Sequence, residues 1–534
     1  MFAVLLILQF ATVFNSAHAN EPIRLIVARN LKGDRIGRKH RVPHALPNVP
    51  IWSELDPELD HFEGTSTQKV YAYYKIPKRK NPVIVAVIDS GVDIHHEDLF
   101  GKIWINPKID EEYPGDVNGW SFIGSLDGSS LECTRELVRL RQKEKDGMTL
   151  TENEIAYRER LMEDYSDRRV ETEETIAAYK EYALAFNRVK LNGGDSITLQ
   201  NAKGTVQYLI QHDIDSKTVD EILEQKKKEL KFAFNLDFEI PPTSGNNDVI
   251  GPNPEHGTHV AGIIAASRLN GFGIDGQAQN VRIMPLRVVP DGDERDEDVA
   301  RAIRFAVDHG ARIINMSFGK AFSPQKEEVD KAVQYAERHE VLIVHSAGND
   351  GRNTDSFTSQ FPNKKMSVGP EIFASNWIEV GASNLHAEIN TTTGDSLAAR
   401  FSNFGKISVD LFAPGVQIVS TVPGDQYESL QGTSMAAPQV SGIAAILLEL
   451  HPNLTAKDLK TILMSTVTRY PGLKVIQPGT LVRTSTPDAQ PKYDGNRVLF
   501  SDLSVSGGIV NAFNAVSSIN WRAKWETKLI NLSH

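Results

Sequence analysis

Three short segments carry side chains whose types and placement could do chemistry. The first, Val85-Ala-Val-Ile-Asp89-Ser-Gly91, ends a strand-like run in an acid. This puts a carboxylate at the carboxyl edge of a sheet, where α/β folds build their sites. Asp at a strand end also serves as a turn former, bonding nearby backbone amides. The second, His256-Gly-Thr-His259-Val-Ala-Gly262, opens a helix whose small residues Gly257, Ala261 and Gly262 allow close packing. Histidines three apart share a helix face and could ligate a metal. A zinc hydrolase would also need a glutamate base and a third ligand, and no H-E-x-x-H pattern occurs. The third, Gly432-Thr-Ser434-Met-Ala-Ala-Pro438, runs into an apolar helix through Val440, Ile443, Ala444 and Ile446-Leu-Leu448. A serine at a helix N-terminus sits among unpaired amides and a positive dipole end, which favour the negative charge that develops in acyl transfer. The same serine is a favoured helix cap.

The elements that must position these residues begin at Pro82. Short β-branched runs follow: Val83–Ile88, Val281–Met284, Ala311–Asn315, Val341–His345 and Trp377–Val380. They are separated by amphipathic stretches such as Asp298–Asp308 and Lys326–Arg338. This alternation predicts a parallel sheet covered on both faces, a doubly wound α/β core. Between residues 131 and 246 the pattern gives way to a highly charged, helix-rich insertion. One helix opens with Thr151-x-x-Glu154, the spacing of a capping box, another carries the one-face stripe Ile176, Tyr179, Ala183 and Phe186, and a third spans Lys217 to about Phe234. Pro241-Pro242 and Gly245-Asn-Asn-Asp248 mark the return to the main domain.

Together the three segments resemble the active-site signatures of the subtilase family of serine peptidases. Their order, Asp then His then Ser, is that of subtilisin. The resemblance continues through Ile314-Asn-Met-Ser-Phe-Gly319 and Ser346-Ala-Gly-Asn349 and covers about residues 82–130 and 247–516. It implies a subtilisin-like fold and peptide-bond hydrolysis through an acyl-enzyme. Ser434 would be the nucleophile, His256 the general base and acid, and Asp89 the residue orienting the imidazole. Asn349 would donate to the oxyanion, and His259 becomes a structural helix residue. Ser317, Phe318, Gly319, Ser346, Ala347 and Gly348 would line the substrate cleft, with Phe318 narrowing an apolar part of it. Asp350 and Asp355 are candidates for favouring a basic substrate side chain.

The chain departs from the family pattern between Asp89 and His256, where the insertion stretches a separation of a few tens of residues. Such a detour costs little loop entropy when its ends return close together, because the cost grows only logarithmically with length. No cofactor is required for the chemistry. Structural calcium is common in the family but is left unassigned here, because Ser267-Arg-Leu-Asn-Gly-Phe-Gly273 is poor in the carboxylates a hard cation wants. The acidic run Asp291–Asp298 reads as a helix start complementing the dipole, and His95-His96-Glu97-Asp98 as a solvated turn. No metal ligands are assigned.

At 534 residues the chain exceeds a single ordinary core, which fits one large domain with an appendage. A formal charge of −11 argues against nucleic acid, which needs a concentrated basic face. Residues 1–19 read as a signal peptide, an apolar run ending at Ala17-His-Ala19, shorter than a membrane span. No later span is expected, so the protein is assigned outside the cytoplasm, secreted or in the periplasm or cell envelope. Cys133 alone cannot form an intrachain disulfide. The expected layout is thus an N-terminal extension at 20–81, either a propeptide or a strap; a peptidase domain at 82–130 and 247–518; the insertion at 131–246; and a C-terminal helix at 519–534. Protein or peptide substrates are expected, and the oligomeric state is left open. The rival from another class is a catalytically silent scaffold on the same core. A lipase or esterase would instead place its serine in a G-x-S-x-G elbow with the histidine last.

Overall fold

The computed structural model describes residues 51–77, 80–108, 111–123, 130–191, 206, 216–237, 245–356, 360–367, 369, 372–388, 396–480 and 496–519. The segment expected as a signal peptide, the first part of the expected N-terminal extension and all but the first residue of the expected C-terminal helix lie outside them. The chain separates into two compact units, one holding residues 128–240 and the other residues 44–127 and 241–534.

The larger unit is built on strands β1 (Val83–Asp89), β2 (Trp120–Ser121), β3 (Val281–Arg287), β4 (Ile313–Met316), β5 (Leu342–Ser346), β6 (Trp377–Ser383) and β7 (Leu411–Pro414). The ribbon β8 (Ile418–Val422) with β9 (Gln426–Leu430), then β10 (Thr468–Arg469), β11 (Lys474–Ile476), β12 (Arg497–Leu499) and β13 (Gly508–Ile509), complete the set. The main sheet runs β10-β13-β7-β6-β5-β4-β1-β3-β2, and every pairing from β13 to β2 is parallel. The order doubles back around β1, as expected of a doubly wound α/β fold. Alternation sets the two faces: Val83, Val85 and Val87 join one apolar cluster with the helices Glu255–Ala265 and Thr433–Leu450. Ala86 and Ile88 join the other, with Asp296–Asp308 and Lys326–Arg338. A strand buried on both faces reads as an unbroken apolar run, which is why β1 was legible in the sequence.

The helix Thr433–Leu450 is apolar enough for a membrane span, yet 89% of it is buried inside the protein. It is the central core helix. The chain leaves for the insertion just after β2 and returns beside it: Ser121 and Asn246 exchange two backbone hydrogen bonds, at 2.8 and 3.0 Å. The detour therefore closes on itself within the larger unit, and β1 and the His256 helix are not held apart by it.

The smaller unit is helical, with helices Glu132–Lys145, Glu152–Leu191 and Ser216–Phe232. The capping box forms, Thr151 N donating to Glu154 Oε2 at 2.9 Å and Glu154 N to Thr151 Oγ1 at 3.3 Å. Ile176, Tyr179 and Phe186 pack with Val206, Val219 and Leu223 into one cluster, Ala183 against it. The capping box and the stripe belong to one 40-residue helix rather than to two. Cys133 is buried here.

Candidate active site

Asp89 closes β1 with its side chain buried. Oδ1 accepts from the Ser90 amide at 2.7 Å and faces His256 Nδ1 at 2.8 Å, while the buried Oδ2 has no partner among the described residues. The approach of the two elements depends on glycine. A Cβ on Gly257 would lie 2.1 Å from the Gly91 carbonyl oxygen and 3.2 Å from Asp89 Cβ, so a larger residue would push the histidine helix off the carboxylate. Thr258 adds a tie, its Oγ1 accepting from Asp93 N at 2.8 Å and donating to Pro254 O at 2.6 Å.

The His256 side chain is 39% exposed on the open side of the carboxylate. Burial around the ring disfavours the imidazolium, but the Asp89 charge and its hydrogen bond, with Glu255 adding, outweigh it and raise the His256 pKa above its ordinary 6.5. His259 behaves oppositely. It is buried, its Nε2 reaches the carbonyls of Ile418 (3.0 Å) and Glu428 (3.1 Å), and burial pulls its pKa down to about 4. The two histidines bond different partners, and no group of three potential metal ligands occurs among the described residues.

Ser434 is the second residue of its helix. Pro438 lies four positions on and has no N–H, so the Ser434 carbonyl lacks its intrahelical donor. Ser317 Oγ supplies it at 3.0 Å, held in turn by Asn315 Nδ2 (2.9 Å), whose Oδ1 accepts from Ser441 Oγ at 2.8 Å. In return Ser434 Oγ donates to the Ser317 carbonyl at 3.0 Å, not to His256. Asn349 Oδ1 accepts from Thr433 N (2.9 Å) and Thr433 Oγ1 (3.0 Å), and Thr433 Oγ1 also accepts from Gly348 N at 3.1 Å. With Oδ1 committed, the Asn349 amide must present Nδ2 on its other side. A Cβ on Gly432 would lie 3.5 Å from that nitrogen, so Nδ2 flanks the Gly432-Thr-Ser434 turn. The sequence motifs contain Thr433 and Asn315 without marking their roles, since only the folded contacts show that they set the amide and the serine carbonyl.

Of the cleft segments, Ser317, Ser346 and Ala347 are buried and Phe318 half-buried. Gly319 lies so close to Gln360 that a Cβ would meet its amide at 2.3 Å. Asp355 is engaged by its neighbours, its Oδ1 accepting from Ser408 N (2.8 Å) and Oγ (2.7 Å) and from Ile407 N (3.0 Å). Asp350 accepts from Asn403 Nδ2 at 3.3 Å. Neither contact favours a basic-substrate role for these acids.

The other acidic candidates are spoken for, and the segment at 95–98 is not the solvated turn expected, since His96 and Asp98 are fully buried. Asp296 pairs with Lys320 and Asp298 with Arg295, both at 2.8 Å. In the loop at 267–275, Asp98 Oδ1 accepts from Asn270 Nδ2 (2.7 Å), Oδ2 from Ile274 N (2.9 Å), and Asp275 Oδ1 from Leu269 N (2.8 Å). These carboxylates already satisfy the loop's own donors, so the donor set does not fit a calcium ion.

Residues 80–494 match the sequence model of the Subtilase family. The chain belongs to that family. This subtilase is 32% identical over 283 residues to subtilisin DY of Bacillus licheniformis, covering 52% of the chain and 90% of that protein. It is 40% identical over 193 residues to the thermophilic serine proteinase of Bacillus sp. (strain AK1), covering 36% of the chain and 42% of the relative. Over 311 residues it is 30% identical to the cell wall-associated protease of Bacillus subtilis (strain 168), covering 56% and 32%. The subtilase thus spans nearly all of the first relative and less than half of the other two.

Proposed function

We propose that this subtilase is an active serine endopeptidase, hydrolysing peptide bonds in proteins through an acyl-enzyme on Ser434. The observation that carries the reading is the 2.8 Å contact between Asp89 and His256 across 167 positions of sequence. A buried carboxylate on Nδ1 fixes the tautomer that leaves the Nε2 lone pair free to accept a proton. Ser434 Oγ turns from the Ser317 carbonyl to His256 and attacks the scissile carbonyl carbon as Nε2 takes its proton; such bonds often form only in the substrate complex. The oxyanion is met by Asn349 Nδ2–H and the Ser434 amide at the helix N-terminus. The intermediate collapses as His256 returns its proton to the leaving amine, and water, activated by the same imidazole, releases the acid.

Two predictions follow from these contacts. Asn349→Leu should lower kcat by about 10²–10³ with little change in KM, the scale set by loss of the equivalent donor in subtilisin, a relative. Steady-state kinetics on a peptide substrate measure it. Because His256 must be neutral to act as a base and its pKa is raised, kcat/KM should rise with pH through a midpoint above 6.5. The sign for stability is opposite: the Asp89–His256 pair favours the charged ring in the folded state, so its contribution is full at low pH and fades as pH rises through that midpoint.

We further assign residues 1–19 as a signal peptide, residues 20–81 as a strap and residues 131–246 as an inserted domain, in a protein acting outside the cytoplasm. The strap reading is supported by residues 51–77, where Trp52 Nε1 donates to Val416 O at 3.1 Å and Ser66 Oγ accepts from Asn511 Nδ2 at 2.9 Å. Incubating denatured casein with the purified protein and sequencing the products by mass spectrometry tests the activity. New internal termini are expected; intact casein would favour the silent scaffold.

A further inference from the structure

A set of buried ionisable side chains lies beneath the cleft segment and has no part in the chemistry above. The His345 side chain on β5 is fully buried and stands in register between Met316 of β4 and Glu379 of β6. In-register partners project to the same face, so the imidazole and the carboxylate meet, Nδ1 to Oε1 at 2.8 Å. The other carboxylate oxygen accepts from Trp377 Nε1 at 2.7 Å. Nε2 lies 2.9 Å from the carbonyl oxygen of Phe318. A carbonyl only accepts, so Nε2 carries a hydrogen. For Nδ1 and Glu379 to bond as well, the pair must hold one more proton, on either partner, and both allocations leave Nε2–H on Phe318.

Phe318 belongs to the stretch that leaves the sheet after Met316, where the β4–β5 ladder ends. Successive carbonyls of an extended chain alternate in direction. The Ser317 carbonyl accepts from Ser434 Oγ, and the Phe318 carbonyl points back to His345. The ring thus replaces the ladder donor that the departing segment has lost. Its mount is braced: the Glu379 amide donates to Asp410 Oδ2 at 2.8 Å, and Lys364 Nζ sits 2.8 Å from Asp410 Oδ1.

We infer that His345 is a positioning residue for the substrate: by holding the Phe318 carbonyl inward, it aims the backbone groups of Ser317 and Gly319 at an extended peptide lying in the cleft. This rests on the peptidase reading for what occupies the cleft, but not on turnover. An extended peptide recognised by main-chain hydrogen bonds needs the receiving backbone fixed in orientation. A side chain that acts only as core filler would not require a donor at this atom.

The test is the affinity of a fluorescent casein-derived peptide for Ser434→Ala, alone and combined with His345→Leu or Glu379→Gln, with thermal melts confirming the fold. His345→Leu removes the donor and should weaken binding about 10-fold, the scale of one main-chain hydrogen bond to the peptide lost. Glu379→Gln should leave binding close to the background value, since its amide can donate to Nδ1 and still accept from Trp377, keeping Nε2–H on Phe318. Unchanged binding in His345→Leu overturns the inference, as does an equal loss in Glu379→Gln, which would make the charge and not the donor matter. Should His345→Leu fail to fold, nitrogen-15 NMR of the His345 ring decides: a protonated Nε2 is expected and an unprotonated one overturns it. A parent that binds the peptide without cleaving it contradicts the peptidase reading while the His345 comparison still stands.

Discussion

Ser434→Ala should lower kcat by about 10⁶-fold while leaving the fold and peptide affinity in place, the scale found when the serine of a subtilisin triad is removed. The fold should survive because the contacts that seat the turn belong to other atoms. The Ser434 carbonyl still accepts from Ser317 Oγ, and Thr433 still bonds Asn349 through both its amide and its hydroxyl. Only the Oγ bond to the Ser317 carbonyl is lost, and with it the proposed nucleophile. What activity remains would come from the Asn349 amide and binding alone, acting on water as the attacking group. Progress curves at high enzyme concentration measure the residue.

The second large effect is Asp89→Asn, expected to cost about 10⁴-fold in kcat with the backbone unmoved. Asp89 Oδ1 takes two contacts at once, the Ser90 amide at 2.7 Å and His256 Nδ1 at 2.8 Å. An asparagine cannot serve both as the carboxylate does. If its oxygen stays on Ser90 N and His256, the imidazolium that forms during attack loses its compensating charge. If its NH₂ turns to His256 instead, Nδ1 becomes the acceptor and the proton moves to Nε2, where the ring can no longer take one from Ser434. The buried Oδ2 has no partner among the described residues, so nothing on that side offers the new amide an acceptor. The variant should fold but melt below the parent, because a buried donor is left unpaired, and it should lose the raised histidine midpoint from its pH profile.

Much of this site could be read from the sequence because its parts are local. The acid at the end of an apolar run, the histidine among small residues and the serine ahead of an apolar helix each occupy a few consecutive positions. The structure explains the small residues as contacts: Gly257 faces Gly91 and Asp89, and Gly262 faces Ser420 and Thr421. β1 and β3 to β6, buried on both faces, were legible for the same reason, whereas β7 is just as buried but is only four residues long and ends in a proline, and it was not. β9 was not, since Gln426–Leu430 is mostly exposed and mixes polar with apolar residues. The long helix of the smaller unit read as two because charged residues such as Arg168, Arg169, Glu171 and Glu173 interrupt its apolar stripe. His345 and Glu379 were invisible in the sequence for a different reason. They lie 34 positions apart, and only the order and register of β5 and β6 bring them face to face. The same holds for Pro438, whose missing N–H acquires meaning only when Ser317 is found filling the gap.

The central claim is that Ser434 is a nucleophile activated by His256. Its most direct test is the reaction of the purified protein with a biotinylated fluorophosphonate, followed by intact mass and peptide mapping. One phosphonyl group per chain is predicted, mapped to Ser434, with labelling abolished in Ser434→Ala and slowed as pH falls below the His256 midpoint. A folded protein that takes up no label, or takes it up at another residue, would contradict the account.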